Sequence, residues 1–477
     1  MTANRTCKCW ECYHSLGNNI TFFVFRRYTD EGKAVYMVAA LGVIMDTNTM
    51  EQTFYGGKQI GHASKHDGEE LPFHRDDILS LDVSADRKTV VTGQVGNKPT
   101  VHVWTVDNAS KVGQFELPAG SRGVGSVSLS PCSRYVACVD LHNDHRITIY
   151  NIQRGKQLLH MNGGTDKILD IAWSKRQDDL RFATVSPKTV TFFHPADVTK
   201  RLKQPGVMGR QTAATALTCI AFDEEGWCYS GGENGQLHAW TDACQVVKAI
   251  KAHASAITGI TADGGKLITG GKDKRICIIT AQGGNFKLEK YVDFSSSFPK
   301  ALDFYNGNLL VGLRNGSIAE FKDVLGSDAV ENTLMRSHFE GEIWGLEVLT
   351  EQNKVLTSGD DNMVMQFDFE TRKFDRKGTV SGHKCENKDK LKNGTASSMS
   401  QYPANQQARA ICYSKKHNHL VVCSNLGKVS VRDFDDLDKK VASLKEATEW
   451  CEVARYSPCE EYLATASHDN NLYVYKV

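Results

Sequence analysis

The chain has 477 residues, too many for one ordinary domain and enough for several domains or one repeat array. Its 57 basic and 56 acidic side chains nearly cancel, to a formal net charge of +1, which excludes bulk attraction to nucleic acid or a membrane surface. Hydrophobic residues make up 40%, enough for packed cores, yet no stretch approaches the roughly 20 apolar residues of a membrane-spanning helix.

In chain order the first segment is MTANRTCKCWECYHS. It lacks the apolar core of a secretory signal, and fourteen cysteines without such a signal predict free thiols in a reducing, cytosolic compartment. Cys7, Cys9, Cys12 and His14 are zinc-ligand types crowded into one short run. Structural zinc sites gather their ligands from two separated knuckles, so a frayed terminal segment is expected here, with no metal and no cofactor.

Repeats follow. An incomplete unit, KAVYMVAALGVIMD, lies at 33–46. The segment 74–104, HRDDILSLDVSADRKTVVTGQVGNKPTVHVW, reads as three short alternating strands joined by a Ser-Ala-Asp turn and a Gly/Asn turn. The pattern returns at 123–150, 215–240 and 253–279, and more weakly at 166–193 and 297–321. Beyond the stretch FKDVLGSDAVENTLMRS it returns at 338–367, weakly at 408–432, and at 450–475. SGGENG, TGGKDKR, SGDDN and ASHDNN stand between second and third strands, where Gly and Asn reach positive φ cheaply and Asp can bond neighbouring amides. No long segment keeps a 3.6-residue period, which argues against helical solenoid repeats.

The copies recur roughly every 35 to 50 residues, which fits a four-strand propeller blade of about 40–45 residues. Rings close with about 4–8 blades, and some ten units exceed one ring. The expected fold is all-β: tandem WD-repeat β-propellers, the second incomplete. The expected division is a degenerate segment at 1–19, a seven-blade propeller at 20–330 and a partial propeller of about three blades at 331–477.

Catalytic chemistry finds no footing. Asp76-Asp77, Asp360-Asp361 and Asp469 sit at blade turns or openings, where carboxylates cap backbone amides. His74, His253 and His338 open their repeats, a place for structural hydrogen bonding rather than general-base work. Gly264-Gly265-Lys266 is followed by Leu267 rather than Ser or Thr, so it is no phosphate loop. No Gly-x-Ser-x-Gly elbow occurs.

A partner is expected on loops and insertions, since blade faces are used for packing. Two stretches read as basic insertions. TKRLKQPGVMGRQ carries Lys200, Arg201, Lys203 and Arg210 with no acidic residue. The stretch from about 371 to 405 carries Arg372, Lys373, Arg376, Lys377, Lys384, Lys388, Lys390 and Lys392 against Asp375, Glu386 and Asp389. It reads as a flexible loop able to engage an acidic surface, such as that of tubulin; the alternative is a solvated loop without a partner. Aromatic residues are not interleaved with these charges, which argues against nucleic-acid stacking.

HRDDILSLDVSADRKTVVTGQVGNKPTVHVW, HFEGEIWGLEV, ARYSPCEEYLATASHDNNLYVYKV and AVYMVAALGVIMD together resemble the echinoderm microtubule-associated protein-like WD-repeat family, over most of residues 17–477. The resemblance implies a tandem pair of closely packed atypical propellers that associate with microtubules, including those of cilia. It implies as partners tubulin and other axonemal or cytoskeletal proteins, with no nucleic acid and no membrane. Of the family's hydrophobic motif only Gly17-Asn18-Asn19 remains before the repeats, and its coiled-coil trimerisation segment is not recognisable. The expected function is therefore a non-enzymatic microtubule-associated scaffold in the cytoplasm and cytoskeleton, an axoneme included. The competing reading is a general WD-repeat adaptor of ubiquitin-ligase or signalling assemblies.

Overall fold

The computed structural model of the chain describes residues 27–56, 73–195, 201–209, 215–294, 297–326, 329–336, 338, 343–371, 374–379, 407–437 and 439–477. Two compact units divide it, Met1–Leu334 and Met335–Val477. Among the described residues one 3-10 turn, Thr350–Gln352, is the only helical element. Everything else regular is strand.

The first unit holds seven four-stranded antiparallel sheets, each a meander whose strands pair in sequence order. Their inner strands are Arg27–Tyr28, Ile78–Val83, Val124–Leu129, Asp170–Trp173, Leu217–Phe222, Ile257–Asp263 and Pro299–Tyr305. Strands two and three of each sheet are rich in Val, Ile, Phe and Ala and are buried on both faces, as in Tyr135–Asp140 and Ile147–Asn151. Apolar clusters fill the gaps between successive sheets. Val91, Val103 and Phe115 of the second sheet meet Val127, Val136 and Tyr150 of the third. Ile268 and Ile278 of the sixth meet Leu302, Val311 and Phe321 of the seventh. Burying both faces of every sheet is the main stabilising term, at about 25 cal/mol per Å² of apolar area removed from water.

The seventh sheet returns to the first, which closes the ring, and this seam is polar. The Tyr28 amide donates to Asp303 Oδ2 at 2.7 Å, and the Tyr28 hydroxyl donates to Glu320 Oε1 at 2.9 Å. Arg87, on the first turn of the second sheet, reaches across the two-residue strand Arg27–Tyr28. Its guanidinium donates to Asp303 at 2.6 Å and to the carbonyls of Tyr28 and Phe304, and it lies 4.2 Å from the centroid of the Tyr305 ring.

The fourth strands escaped a reading of three strands per repeat. Lys111–Glu116, Lys156–Met161, Val246–Lys251 and Asn285–Asp293 form the outer edges of their sheets and are largely exposed. With one face in water and little apolar density they carry no clean alternation. The turns between second and third strands do follow their composition. Gly235, Lys274, Gly316, Asn362, Gly427 and Asn470 all have φ between 60° and 78°, and each amide donates three residues back, as Gly235 does to Gly232.

The second unit has three sheets. Their inner strands are Ile343–Leu349, Ala408–Ser414 and Cys451–Tyr456; the last sheet has three strands. Leu356 and Val364 pack against Ile411 and Val422, and Val421 and Cys423 against Ala454 and Leu463. Leu346 and Val348 in its first sheet and Leu472 and Val474 in its last are more than half exposed, at 51 to 68%.

Candidate functional site

The histidines and carboxylates of the repeats are absorbed into scaffold. His74 bonds Gln94 Oε1 through Nδ1 (2.8 Å) and Thr92 Oγ1 through Nε2 (2.7 Å), and the Trp104 indole donates to the same Thr92. His253 is held between Asp273 (3.0 Å) and Thr269 (2.8 Å), and His338 between Asp361 (2.7 Å) and Thr357 (2.9 Å). Burial pushes the His74 imidazole down to about 4. His102, stacked on it at 3.9 Å, is pushed down to about 2 by burial and by the neighbouring His74. Both rings are neutral at physiological pH and anchor strands.

Asp76, Asp361 and Asp469 accept from the amides of Asp77, Met363 and Thr448. Asp360 meets two side chains. Its Oδ1 accepts the Trp344 indole N–H at 2.8 Å and lies 3.6 Å from Arg409.

One device recurs at the end of each sheet where the inner strand begins. Eight of the ten sheets shift register after the first residue of that strand, leaving one extra residue. These residues are Leu79, Gly125, Thr218, Thr258, Lys300, Trp344, Arg409 and Glu452. Such bulges bend a strand and re-aim one side chain. Beside each bulge lies the residue that follows the second strand, pinned by its amide to the chain just before the inner strand. Glu233 N donates to Ala216 O, Lys272 N to Ala256 O and Arg314 N to Phe298 O, at 2.8 to 3.0 Å. Seven of these sheets therefore present a bulge side chain beside the residue that follows the second strand, and the third has Gly125 at the bulge.

The use of these positions varies. In the fifth and sixth sheets the bulge threonines reach the next sheet, Thr218 Oγ1 donating to Ile257 O and Thr258 Oγ1 to Pro299 O. In the second unit they form a cation–aromatic stack. The Arg409 guanidinium lies 4.0 Å from the Trp344 centroid and 4.9 Å from that of Trp450, while His468 pairs with Glu452 at 2.8 Å. In the seventh sheet the bulge residue is Lys300, an amine at the channel.

That channel, in the first unit, encloses a cavity of about 390 Å³ lined by Asp82, Asp170, Lys175, Lys300 and Asp303 among others. Its acids are engaged. Asp82 accepts from Ser128 Oγ and the Leu129 amide, and Asp170 from Ser126 Oγ. Burial lifts the Asp170 carboxyl to about 6. Burial, with Arg314 and Lys272 nearby, lowers the Lys300 amine to about 8. Among the described residues no group of three or more His, Cys, Asp or Glu is placed to hold a metal ion, and no helix is long and apolar enough to cross a membrane.

The basic residues singled out from sequence fall mostly elsewhere. Lys200, Arg210, Arg372, Lys373, Lys384, Lys388, Lys390 and Lys392 lie outside the described residues, as do Cys7, Cys9, Cys12 and His14. Arg201 and Lys203 belong to a regular strand, Arg201–Pro205, the outer edge of the fourth sheet, rather than to an insertion. Lys203 donates to the Gly163 carbonyl at 2.9 Å. Arg376 and Lys377 likewise lie on a fourth strand, Phe374–Thr379. Sequence reading passed over Lys272, Lys300 and Arg314. The signal was present, since TGGK and VGLR place a cation directly after the second strand in adjacent repeats, but it shows only when the repeats are aligned on their turns.

Comparison with known proteins follows from this architecture. The profile of a family described as "Echinoderm microtubule-associated protein first beta-propeller" matches residues 73–300. The chain is 33% identical over 452 residues to "Ciliary WD repeat-containing protein ctxp80" of Euplotoides octocarinatus, covering 94% of this chain and 61% of that one. It is 25% identical over 464 residues to the "77 kDa echinoderm microtubule-associated protein" of Strongylocentrotus purpuratus, covering 94% and 60%. The chain thus spans about three fifths of the length of these relatives. Among solved structures, that of U3-55K is similar with a TM-score of 0.50 at 12% identity, covering 67% of this chain and 95% of that one, a likeness of fold alone.

Proposed function

Because the chain belongs to the echinoderm microtubule-associated protein-like WD-repeat family, we propose that it is a non-enzymatic scaffold that binds or stabilises microtubules of a cilium or of the cytoskeleton. The observation that carries this reading is the similarity along 94% of the chain to a ciliary WD-repeat protein and to a microtubule-associated protein. The way polar groups are used supports a binding role. Repeat histidines and carboxylates bond their own scaffold, and most sheets offer variable side chains at one end of the inner strand. Tubulin is the partner this favours, with other axonemal or cytoskeletal proteins beside it. The basic stretches at 199–211 and 371–405 are proposed as supporting contacts to its acidic surface, effective at low salt and screened as ionic strength rises.

Co-sedimentation with polymerised tubulin across a salt series tests the proposal. Pelleting at low salt that declines with added salt is expected; no pelleting at low salt rules out direct binding. A tagged protein found along cilia rather than diffuse in the cytosol would place it on the axoneme.

A further inference from the structure

At the channel mouth of the first unit, cations gather at one place. The sixth and seventh sheets present Lys272, Lys300 and Arg314 side by side. The Lys300 amine and the Arg314 guanidinium each lie 5.9 Å from the centroid of the Phe298 ring. Lys272 lies near enough for its charge to act on Lys300. We propose that Lys272, Lys300 and Arg314, gathered around Phe298, form a docking site for an acidic peptide segment.

Four observations carry the assignment. First, the positions are rigid. Backbone bonds from Lys272 to Ala256 and from Arg314 to Phe298, and the bulge at Lys300, fix where each side chain starts. Second, Lys272 and Arg314 are exposed and stand in no ion pair among the described residues, although carboxylates are nearby in sequence. Those carboxylates are engaged elsewhere, Asp273 with His253 and Asp293 with Arg275. At the same mouth of the second unit, charges find partners within the rim: Arg409 lies beside Asp360 and Glu452 pairs with His468. Third, the flanking sheets do not compensate. The fifth offers Glu233, which forms no ion pair among the described residues, and the first sheet turns there through Ala39 and Ala40.

Fourth, the spread favours a peptide over a small anion. The three cations start from separate positions, the ends of two second strands and one bulge, so a segment with several carboxylates can meet them one by one. An extended acidic segment places same-side carboxylates about 7 Å apart, and its methylenes can lie on the Phe298 ring. The crowding of like charges costs the isolated protein stability, and a bound polyanion relieves it; burial first, and this crowding second, lower the affinity of Lys300 for its proton.

The experiment is fluorescence anisotropy of labelled octaglutamate with the full chain at low ionic strength. Wild type is expected to bind, and octaglutamine is not. Lys272→Glu with Arg314→Glu should weaken binding by at least about tenfold, because each reversal replaces attraction with repulsion. Both side chains are exposed and their mutual repulsion is removed, so the thermal midpoint should not fall. Lys156→Glu, on the exposed outer edge of the third sheet, should leave binding unchanged. The proposal is overturned by absent wild-type binding, by equal binding of the double variant, or by an equal loss in Lys156→Glu. Displacement by an equal concentration of inorganic phosphate also overturns it, since the site would then take small anions. The assignment does not depend on the microtubule reading: a chain that binds octaglutamate but never pellets with tubulin keeps this site and loses that function.

Discussion

His74 and His102 carry a measurable consequence at the scale of single residues. His74 is 7% exposed and its imidazole is pushed down to about 4, against about 6.5 in an unfolded chain. For a base whose folded value is depressed, the unfolded chain takes up the proton first as pH falls. Stability is therefore complete above about pH 6.5 and is lost progressively toward pH 4, by about 3 kcal/mol from this group alone. The urea midpoint should fall steeply between pH 6.5 and 4.5, and His74→Gln should flatten that slope. A variant with the wild-type slope would show that another group sets it. The position of His74 at the opening of its repeat was legible in sequence. Its stacking on His102 was not, because the two rings meet across strands whose register no local pattern states.

At the scale of the element, the narrow inner edge of each sheet decides which residues are tolerated. Gly231 is the last residue but one of the second strand of the fifth sheet, and a Cβ there would sit 2.7 Å from Ile257 Cγ2 and 2.9 Å from Cys219 Sγ. Sheets radiate from the axis and approach one another most closely there, so a single methyl overpacks the wedge. Gly231→Ala should destabilise the first unit by about 1–3 kcal/mol, read from the denaturant midpoint. An unchanged midpoint would mean that the sheets slide apart at little cost. Three strands of each repeat were visible as alternating apolar runs. The outer strands, such as Lys111–Glu116, were not, since an exposed edge strand needs no apolar face and its backbone pairing leaves no mark on composition.

For the molecule as a whole, ring closure rests on contacts between residues far apart in the chain. Arg87 ties the second sheet to the first and the seventh, and its partner Asp303 has a side chain only 6% exposed. Arg87→Ala leaves that carboxylate buried without its cation and removes a donor from two carbonyls, a loss of about 3–5 kcal/mol. The first unit should then unfold at a clearly lower denaturant concentration. Arg87→Lys should restore only part, because an ammonium cannot reach three acceptors as the planar guanidinium does. A midpoint within error of wild type would show that apolar packing alone closes the ring. Among the described residues the three-sheet unit shows no such seam, and its Leu346, Val348, Leu472 and Val474 are exposed.

The sequence by itself determined the all-β class, the repeats, the turn chemistry and the family resemblance, because each rests on residues within one repeat of one another. Alternation, glycine at positive φ and a histidine opening a repeat are local statements. Only the tertiary structure decided which residues share the channel mouth and which seal the ring. Lys272, Lys300 and Arg314 are ordinary cations in the chain, and become one patch when adjacent sheets align their bulges. Arg87 and Asp303 are distant in sequence, and meet because a closed ring brings its last sheet back to its first.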